Sequence, residues 1–417
     1  MASADGRHLM GDILFLSHRI PFPADRGDKI RSHNVLKALA RYAPVHVATF
    51  ADDAADRAYE PQLASLAASY RLVTRAKSLP RAGVEALVAG KPLSLTAFHH
   101  RAIEGYVRHL LASRSIDVIY VFSGQMAQYV PADFTGVVVA DLVDVDSAKF
   151  EAYAQRSGGI RAWMERREAR LLSAEEARIV AKSEVILLIS EPEAALLQSR
   201  LPVPSQRVRT MGNGLDAAFF DPIGIAPAPQ MAGRARPRIV FTGQMDYAPN
   251  IEAAMRAIER ILPRVRAVLP EASFHVVGRN PSPALKAHDG RSGVHVWGRV
   301  DDIRPWLAVA DCALVPLEIA RGVQNKVLEA MAMALPVVLT PGAATGIPAC
   351  DGRDFAVAES DDALAQAVIA LAADPQRAQA MGRDARAWIL AHASWEAALA
   401  DLPYYLTQRQ TALSDAA

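Results

Sequence analysis

The chain has 417 residues, 51% of them hydrophobic and 22% charged, with a formal net charge of +1. Such a length holds two ordinary α/β domains, each with its own core, and the apolar content excludes a disordered chain. Near-neutrality provides no global field for nucleic acid, and no nucleic-acid partner is expected.

Met1–Met10 reads as a short tail, with Met10 an alternative start, and no apolar signal core precedes Asp12, so export is not expected. Asp12–Ser17, DILFLS, has the continuous apolar character of a buried parallel strand. The loop after it, from His18 to Lys29, holds two prolines and a glycine. Ile30, Val35, Leu36 and Leu39 then form an apolar stripe that predicts a helix from about Lys29. Open α/β sheets bind ligands beyond the carboxyl end of such a strand. Asp25, Arg26, Gly27, Asp28 and Arg31 are therefore candidates to hold a phosphate or an acceptor, a charged surface loop being the alternative.

Further strands are predicted at Val45–Phe50, Val118–Phe122, Val137–Asp141 and Val185–Ser190, and helices around Glu60–Ala68, Arg81–Ala89, Arg101–Arg114 and Glu191–Gln198. Asp141, Asp144 and Asp146 lack a fourth clustered ligand, so most of them read as caps for a helix near Ser147 rather than as a metal site. Arg156–Arg170 carries five arginines around Ile160, Trp163 and Met164. Such a helix suits an anionic membrane surface, but Glu165 and Glu168 dilute its charge, which favours an ordinary solvated helix.

Val208–Pro222 contains the Asn213-Gly214 turn, and Ile223–Pro237 is rich in Pro, Ala and Gly, as a flexible connection between domains is. The strand–helix alternation then restarts. Predicted strands at Arg238–Thr242, Ser273–Val277 and Val294–Trp297 end at Gly243, Gly278 and Gly298. Small residues along one sheet edge permit close approach of a nucleotide, although glycine after a strand is also routine turn chemistry. Helices are predicted at Ile251–Leu262, Ile303–Val309, Leu364–Ala372, Gln376–His392 and from Ser394 through about Thr407. The two cysteines, Cys312 in a predicted strand Cys312–Val315 and Cys350, have no metal or redox spacing and read as plain thiols in a reducing compartment. No apolar run is long enough to span a bilayer.

Arg321–Thr340, RGVQNKVLEAMAMALPVVLT, is the most informative stretch. Gly322 leaves room for a ligand at the backbone, Gln324 and Asn325 open a helix to about Ala334, and Pro336 stops it before a short buried strand. Free N–H groups at the helix start favour an anion, Lys326 adds a full positive charge, and Glu329 shares its face. This suits a phosphate with a hydroxyl-bearing group beside it. Taken alone, Lys326 and Glu329 are more simply a solvent-facing ion pair.

The whole string resembles the signature of family 4 glycosyltransferases, which Leu328-Glu329-Ala330-Met331-Ala332 and Pro336-Val337-Val338 fit, with Arg321 standing where the signature has its first acid. Asp216 to Pro222 resembles the passage leading out of that family's first domain. Phe241–Asn250, Gly322–Lys326 and Pro23–Arg31 are similar to strings in sugar transferases encoded with bacterial exopolysaccharide and exosortase (PEP-CTERM) systems.

The resemblance implies an α/β protein of the GT-B architecture, two Rossmann-like doubly wound parallel-sheet domains with an interdomain cleft. An N-terminal acceptor-side domain would span residues 1–207, with a C-terminal helix at 394–417 packed back on it, and a nucleotide-sugar domain residues 208–393. It implies retaining transfer of a sugar from a nucleotide diphosphate sugar, with no metal and no cofactor. The acceptor would be a lipid-linked saccharide, and the enzyme cytoplasmic, peripheral to the inner face of the cytoplasmic membrane. Lys326, Arg321 and Glu329 become the catalytic candidates, and Gly243, Gly278, Arg279, Gly298, Gly322, Val323, Gln324 and Asn325 the donor-binding ones.

Two family features are absent: the Arg and Lys expected within Gln244–Asn250, and a histidine within Phe122–Gln125. Phosphate contacts are therefore expected to have moved to Arg321 and Lys326. The alternatives are a nucleotide-sugar epimerase of the same architecture and a non-catalytic nucleotide-sugar-binding component of a polysaccharide assembly.

Overall fold

The computed structural model describes residues 11–318 and 323–408. The chain forms two compact units, one built from the residues up to Asn213 together with those from Leu399 onward, the other from Gly214–Ala398.

The first unit is built on β1 (Asp12–Ser17), β2 (Val45–Ala51), β3 (Ser69–Thr74), β4 (Ile116–Phe122), β5 (Val137–Val143), β6 (Val185–Leu188) and β7 (Val208–Thr210). Their order is β3-β2-β1-β4-β5-β6-β7, with every pair parallel. Ile13, Leu14, Phe15 and Leu16 are fully buried, as expected of a strand covered by helices on both faces. The chain runs outward from β1 to β3, then returns to lay β4 against the other side of β1.

Several expectations are corrected here. β3, SYRLVT, was not predicted, because an edge strand with half-exposed polar positions carries no continuous apolar run. β7 pairs with β6 through Ile186 and Val208, so residue 208 belongs to the first sheet rather than to the start of the second domain. The first helix, Gly27–Leu39, starts two residues before Lys29. The predicted helix from Ser394 is two short ones, Trp395–Ala398 and Leu402–Leu406. Pro403 lacks an N–H and cannot continue an earlier helix. The second piece packs on β5, with Leu402, Tyr405 and Leu406 buried.

Asp141 is not a helix cap. It lies inside β5, fully buried, and accepts from Arg31 Nε and Nη2, both at 3.0 Å, and from the Tyr120 hydroxyl at 2.9 Å. Arg31, on the first helix, is 1% exposed. Its remaining donors reach the carbonyls of Met211 at 2.8 Å and Gly212 at 3.2 Å and the Asn213 side chain at 3.1 Å. One guanidinium thus fastens the first helix, a central strand and the segment after β7.

The second unit holds β8 (Arg238–Thr242), β9 (Ser273–Val277), β10 (Val294–Gly298), β11 (Cys312–Val315), β12 (Val337–Leu339) and β13 (Ala356–Val357). Their order, β10-β9-β8-β11-β12-β13, repeats that of the first six strands of the other sheet, again all parallel. The connection read as flexible is packed: Ala228 and Met231 are buried in this unit's core, around a short Pro229–Ala232 helix. Among the described residues, no helix is long and apolar enough to cross a membrane.

Arg31→Met should destabilise the first unit by about 3–5 kcal/mol, because it leaves the Asp141 carboxylate buried without its partner. Arg31→Met combined with Asp141→Leu should recover much of that loss. Urea unfolding followed on first-unit signals tests both; a single-variant loss below about 1 kcal/mol would mean that water reaches the carboxylate.

Candidate functional site

Open parallel sheets bind ligands outside their strand carboxyl ends, where the strand order reverses. In the second unit that reversal lies between β8 and β11. Gly243 follows β8 with φ of 153°, a conformation that suits glycine. Its amide donates to the Val277 carbonyl at 3.1 Å, and the Gly278 amide donates to the Gly298 carbonyl at 2.9 Å, so the three predicted glycines lie side by side.

Their purposes differ. A Cβ on Gly278 would fall 1.6 Å from the Gly243 carbonyl oxygen. Gly278 therefore serves the approach of one backbone to another and does not by itself reserve space for a nucleotide, as the sequence reading had it. Gly298 has φ of 71° and no atom within 4 Å of the place its Cβ would take, so it faces open space.

Lys326 arrives at the same point, its Cε 3.4 Å from the position of a Gly243 Cβ. It lies in the first turn of the Asn325–Ala332 helix. Its ammonium donates to Asn250 Oδ1 at 2.5 Å and sits 5.0 Å from the centroid of the Phe241 ring. The Asn250 amide donates in turn to the Gln244 carbonyl at 2.9 Å. Burial pushes the Lys326 pKa down to about 8, against the opposing charge of Glu329. Burial likewise pushes the Glu329 carboxyl up, against the charge of Lys326. Lys326 turns to Asn250 instead of forming a solvent-facing ion pair with Glu329, and both residues are half-buried.

Arg279 is exposed beside the same glycines and donates to Gln244 Oε1 at 2.7 Å. Val323 and Asn325 are exposed and Gln324 is half-buried at the start of the helix. Arg321 and Gly322 lie outside the described residues. Phe241, Gln244 and Asn250 were not singled out as site residues. The signal for Asn250 was its place in the first turn of the Ala248–Arg256 helix, directly after a strand and its glycine.

In the first unit, Asp25, Arg26 and Gly27 are exposed and Asp28 is half-buried, whereas Lys29 and Arg31 turn inward. Lys29 is held by Asp56 at 2.5 Å, and Arg31 by Asp141 as described above. The structure thus commits Arg31 to the core, where its donors are occupied. Arg19 bridges Asp28 at 2.9 Å and Asp52 at 2.7 Å. Burial would raise the Asp28 carboxyl, but the hydrogen bond to His18 and the charges of Arg26 and Arg19 hold it well below the usual carboxylate range. Nothing lies within 4 Å of a Cβ added at Gly27. Among the described residues, no group of three or more His, Cys, Asp or Glu side chains is placed to hold a metal ion.

Residues 236–374, a third of the chain, match the family described as "Glycosyl transferases group 1". Three solved structures show the fold. HepE from Anabaena, in complex with UDP and glucose, is 14% identical with a TM-score of 0.55, over 95% of this chain and 99% of that one. WaaG, a glycosyltransferase involved in lipopolysaccharide biosynthesis, is 18% identical with a TM-score of 0.52, over 95% and 99%. The sucrose-phosphate synthase of Thermosynechococcus elongatus is 16% identical with a TM-score of 0.56, over 94% and 97%. No protein of curated function matches the sequence. The fold is therefore of the GT-B kind, two parallel-sheet α/β units, as the sequence implied. Gly243, Gly278, Arg279, Gly298, Lys326 and Glu329 all fall inside the residues that match that family.

Lys326 should titrate near pH 8 in a lysine ¹³Cε NMR experiment, with Lys326→Gln identifying the signal. Its positive charge is present below that pH and lost above it. An unfolded lysine keeps its proton to about pH 10.4. The unfolded chain therefore binds more protons between these values, and this group makes stability rise with pH across that window. A midpoint in the ordinary lysine range would show that the ammonium is solvated.

Proposed function

We propose that the chain is a retaining glycosyltransferase that moves a sugar from a nucleotide diphosphate sugar to a lipid-linked saccharide in bacterial exopolysaccharide synthesis. The observation that carries this reading is Lys326, a half-buried lysine whose pKa burial lowers to about 8, at the strand reversal of the region that matches group 1 glycosyltransferases. Negative charge grows on the departing diphosphate and must be met by donors already in place. Lys326 and the first N–H groups of its helix supply them in this reading, with Arg321 and no metal. A buried ammonium acts in a low dielectric, where its attraction for the developing anion is stronger than in water. Glu329, one turn further on, accepts from the ribose hydroxyls. Neighbouring structures hold UDP and UDP-glucose, which makes UDP-glucose the first donor to try.

The lipid-linked acceptor and the membrane location draw support from the Gly159–Lys182 helix. Glu168, counted in the sequence as diluting the charge, is buried and accepts from the Leu93 amide at 2.7 Å and from the Ser94 amide and hydroxyl, both at 2.9 Å. Glu165 also turns inward and holds Arg161. What faces water is Ile160, Trp163 and Met164 flanked by Arg161, Arg166 and Arg170. Arg167 donates to the Ala86 carbonyl at 2.8 Å, which places this face beside a second exposed apolar triplet, Val84, Leu87 and Val88. Apolar and aromatic side chains among arginines suit an anionic lipid surface.

Incubation with labelled UDP-glucose, then other nucleotide sugars, and a bacterial membrane lipid extract tests the reaction. Transfer to lipid is the expected result; exchange of sugar identity would make the protein an epimerase, and binding alone a non-catalytic component. Within a transfer assay, Lys326→Ala should lower turnover more than donor affinity, and Arg321→Glu should not improve on the native enzyme. Glu329→Gln should weaken donor binding by about 1.5–3 kcal/mol. Unchanged affinity there would remove the ribose contact.

The protein should also sediment with anionic vesicles at low salt and not with zwitterionic ones. Trp163→Glu should reduce the bound fraction severalfold. Equal binding by this variant would place the contact elsewhere.

A further inference from the structure

We infer that His18 Nδ1 is a contact of the first unit for a hydroxyl of a saccharide. The inference deepens the proposed function, which brings a saccharide acceptor to this protein.

Topology sets the position. The first unit's strand order reverses between β1 and β4, as the second unit's does between β8 and β11. His18 is the first residue after β1. Its ring stacks on Phe122, the last residue of β4, with centroids 5.7 Å apart and planes 21° apart, and meets the edge of Phe98 at 5.7 Å. The imidazole therefore spans the two strand ends between which a ligand of an open sheet sits.

The side chain is 6% exposed. Nε2 lies 3.0 Å from Arg19 Nη1 and 3.3 Å from Asp28 Oδ2. Nδ1 is buried and has no hydrogen-bond partner among the described residues. Leaving a buried polar atom unpaired costs its desolvation, and most buried polar atoms of folded proteins have a partner. Burial lowers the His18 pKa, against the raising effect of the hydrogen bond to Asp28, which favours the neutral ring.

The electronic character of that atom selects the ligand. A neutral imidazole has one donor nitrogen and one acceptor nitrogen. If Nε2 accepts from Arg19, Nδ1 carries the proton and donates. If Nε2 donates to Asp28, Nδ1 accepts. An anion satisfies only the first state and an ammonium only the second. A hydroxyl both donates and accepts, so it satisfies either, and a saccharide presents several. His18 then acts by holding the sugar, with no bond made or broken at the ring.

The test uses the full chain labelled with ¹⁵N-histidine and read by long-range ¹⁵N–¹H correlation. His18→Phe retains an aromatic ring at the stack and identifies the His18 signals by their loss; His18→Gln serves if that variant does not fold. Glucose, galactose, mannose and N-acetylglucosamine are titrated singly, and UDP in a separate sample. The expected result is that at least one sugar moves the Nδ1 resonance, that its affinity falls at least tenfold in the variant, and that UDP leaves Nδ1 unmoved. The inference is overturned if no sugar moves Nδ1, if UDP alone does, or if the variant binds the sugar unchanged, an ordered water then being the natural partner of the atom. None of these readouts needs transfer activity. Failure of the donor reading, seen as absence of a UDP effect on Lys326, is therefore distinct from failure here.

Discussion

The buried pair of Arg31 and Asp141 is the constraint on which the first unit depends. Two charges taken from water are costly unless every donor and lone pair is met, and here the geometry meets them with a two-point contact, the Tyr120 hydroxyl and three further acceptors on residues 211–213. The partners are drawn from the first helix, two adjacent strands and the end of the unit's continuous chain. On the helix after β1 Arg31 reaches Asp141 and Lys29 reaches Asp56, while Asp28 stays half-buried against Arg19 and His18. The Arg31 contact therefore anchors the helix that carries the residues at the mouth of β1.

The same strand reversal occurs in both sheets, but the two chains furnish it differently. After β8 comes a glycine in a special conformation, a lysine from the helix that follows β11, and an asparagine that holds the lysine. After β1 comes a histidine braced by Arg19, Asp28 and two aromatic rings. The first arrangement offers positive charge and exposed backbone, which suits an anion. In the second, Arg19, Arg26 and Arg75 are already engaged by Asp28 and Asp52, which leaves less free positive charge than at Lys326. A neutral polar ligand fits there better than a phosphate. Topology makes the two sites equivalent, and side-chain chemistry divides the labour between them.

What the sequence disclosed follows from the range of the interactions involved. Asp12–Ser17, Arg238–Thr242, Ser273–Val277 and Cys312–Val315 were legible to the residue, because central parallel strands are continuous apolar runs bounded by polar or glycine positions. β3, β7 and β13 were not: one is an edge strand with exposed polar positions, the others span three and two residues. The motif around Lys326 and the three glycines was legible as a set, but the reason for Gly278 was not, since its neighbour is a backbone oxygen 35 residues away in sequence. Asp141 and Glu168 were misjudged for one shared reason. Each finds its partner 74 to 110 residues off, and a carboxylate read locally looks like a cap or a surface charge.

Lys326, Glu329 and His18 share a property that links the fold to its use. Each is at least half-buried with few compensating partners among the described residues: Lys326 has one neutral acceptor and a ring face, Glu329 the nearby charge of Lys326 against its burial, and His18 leaves one nitrogen unmet. Arg31, Lys29 and Asp361 are instead answered by opposite charge, and Glu168 by two amides and a hydroxyl. The contrast marks where folding has left an electrostatic cost standing. At either unit, a ligand that supplies the missing partners would relieve that cost on arrival, so part of its affinity comes from the protein's own incomplete solvation rather than from new contacts alone. Groups already desolvated and already aimed need little reorganisation when charge develops on a departing group. The strained ionisation of Lys326 is, on this view, the folded chain's preparation for an anion.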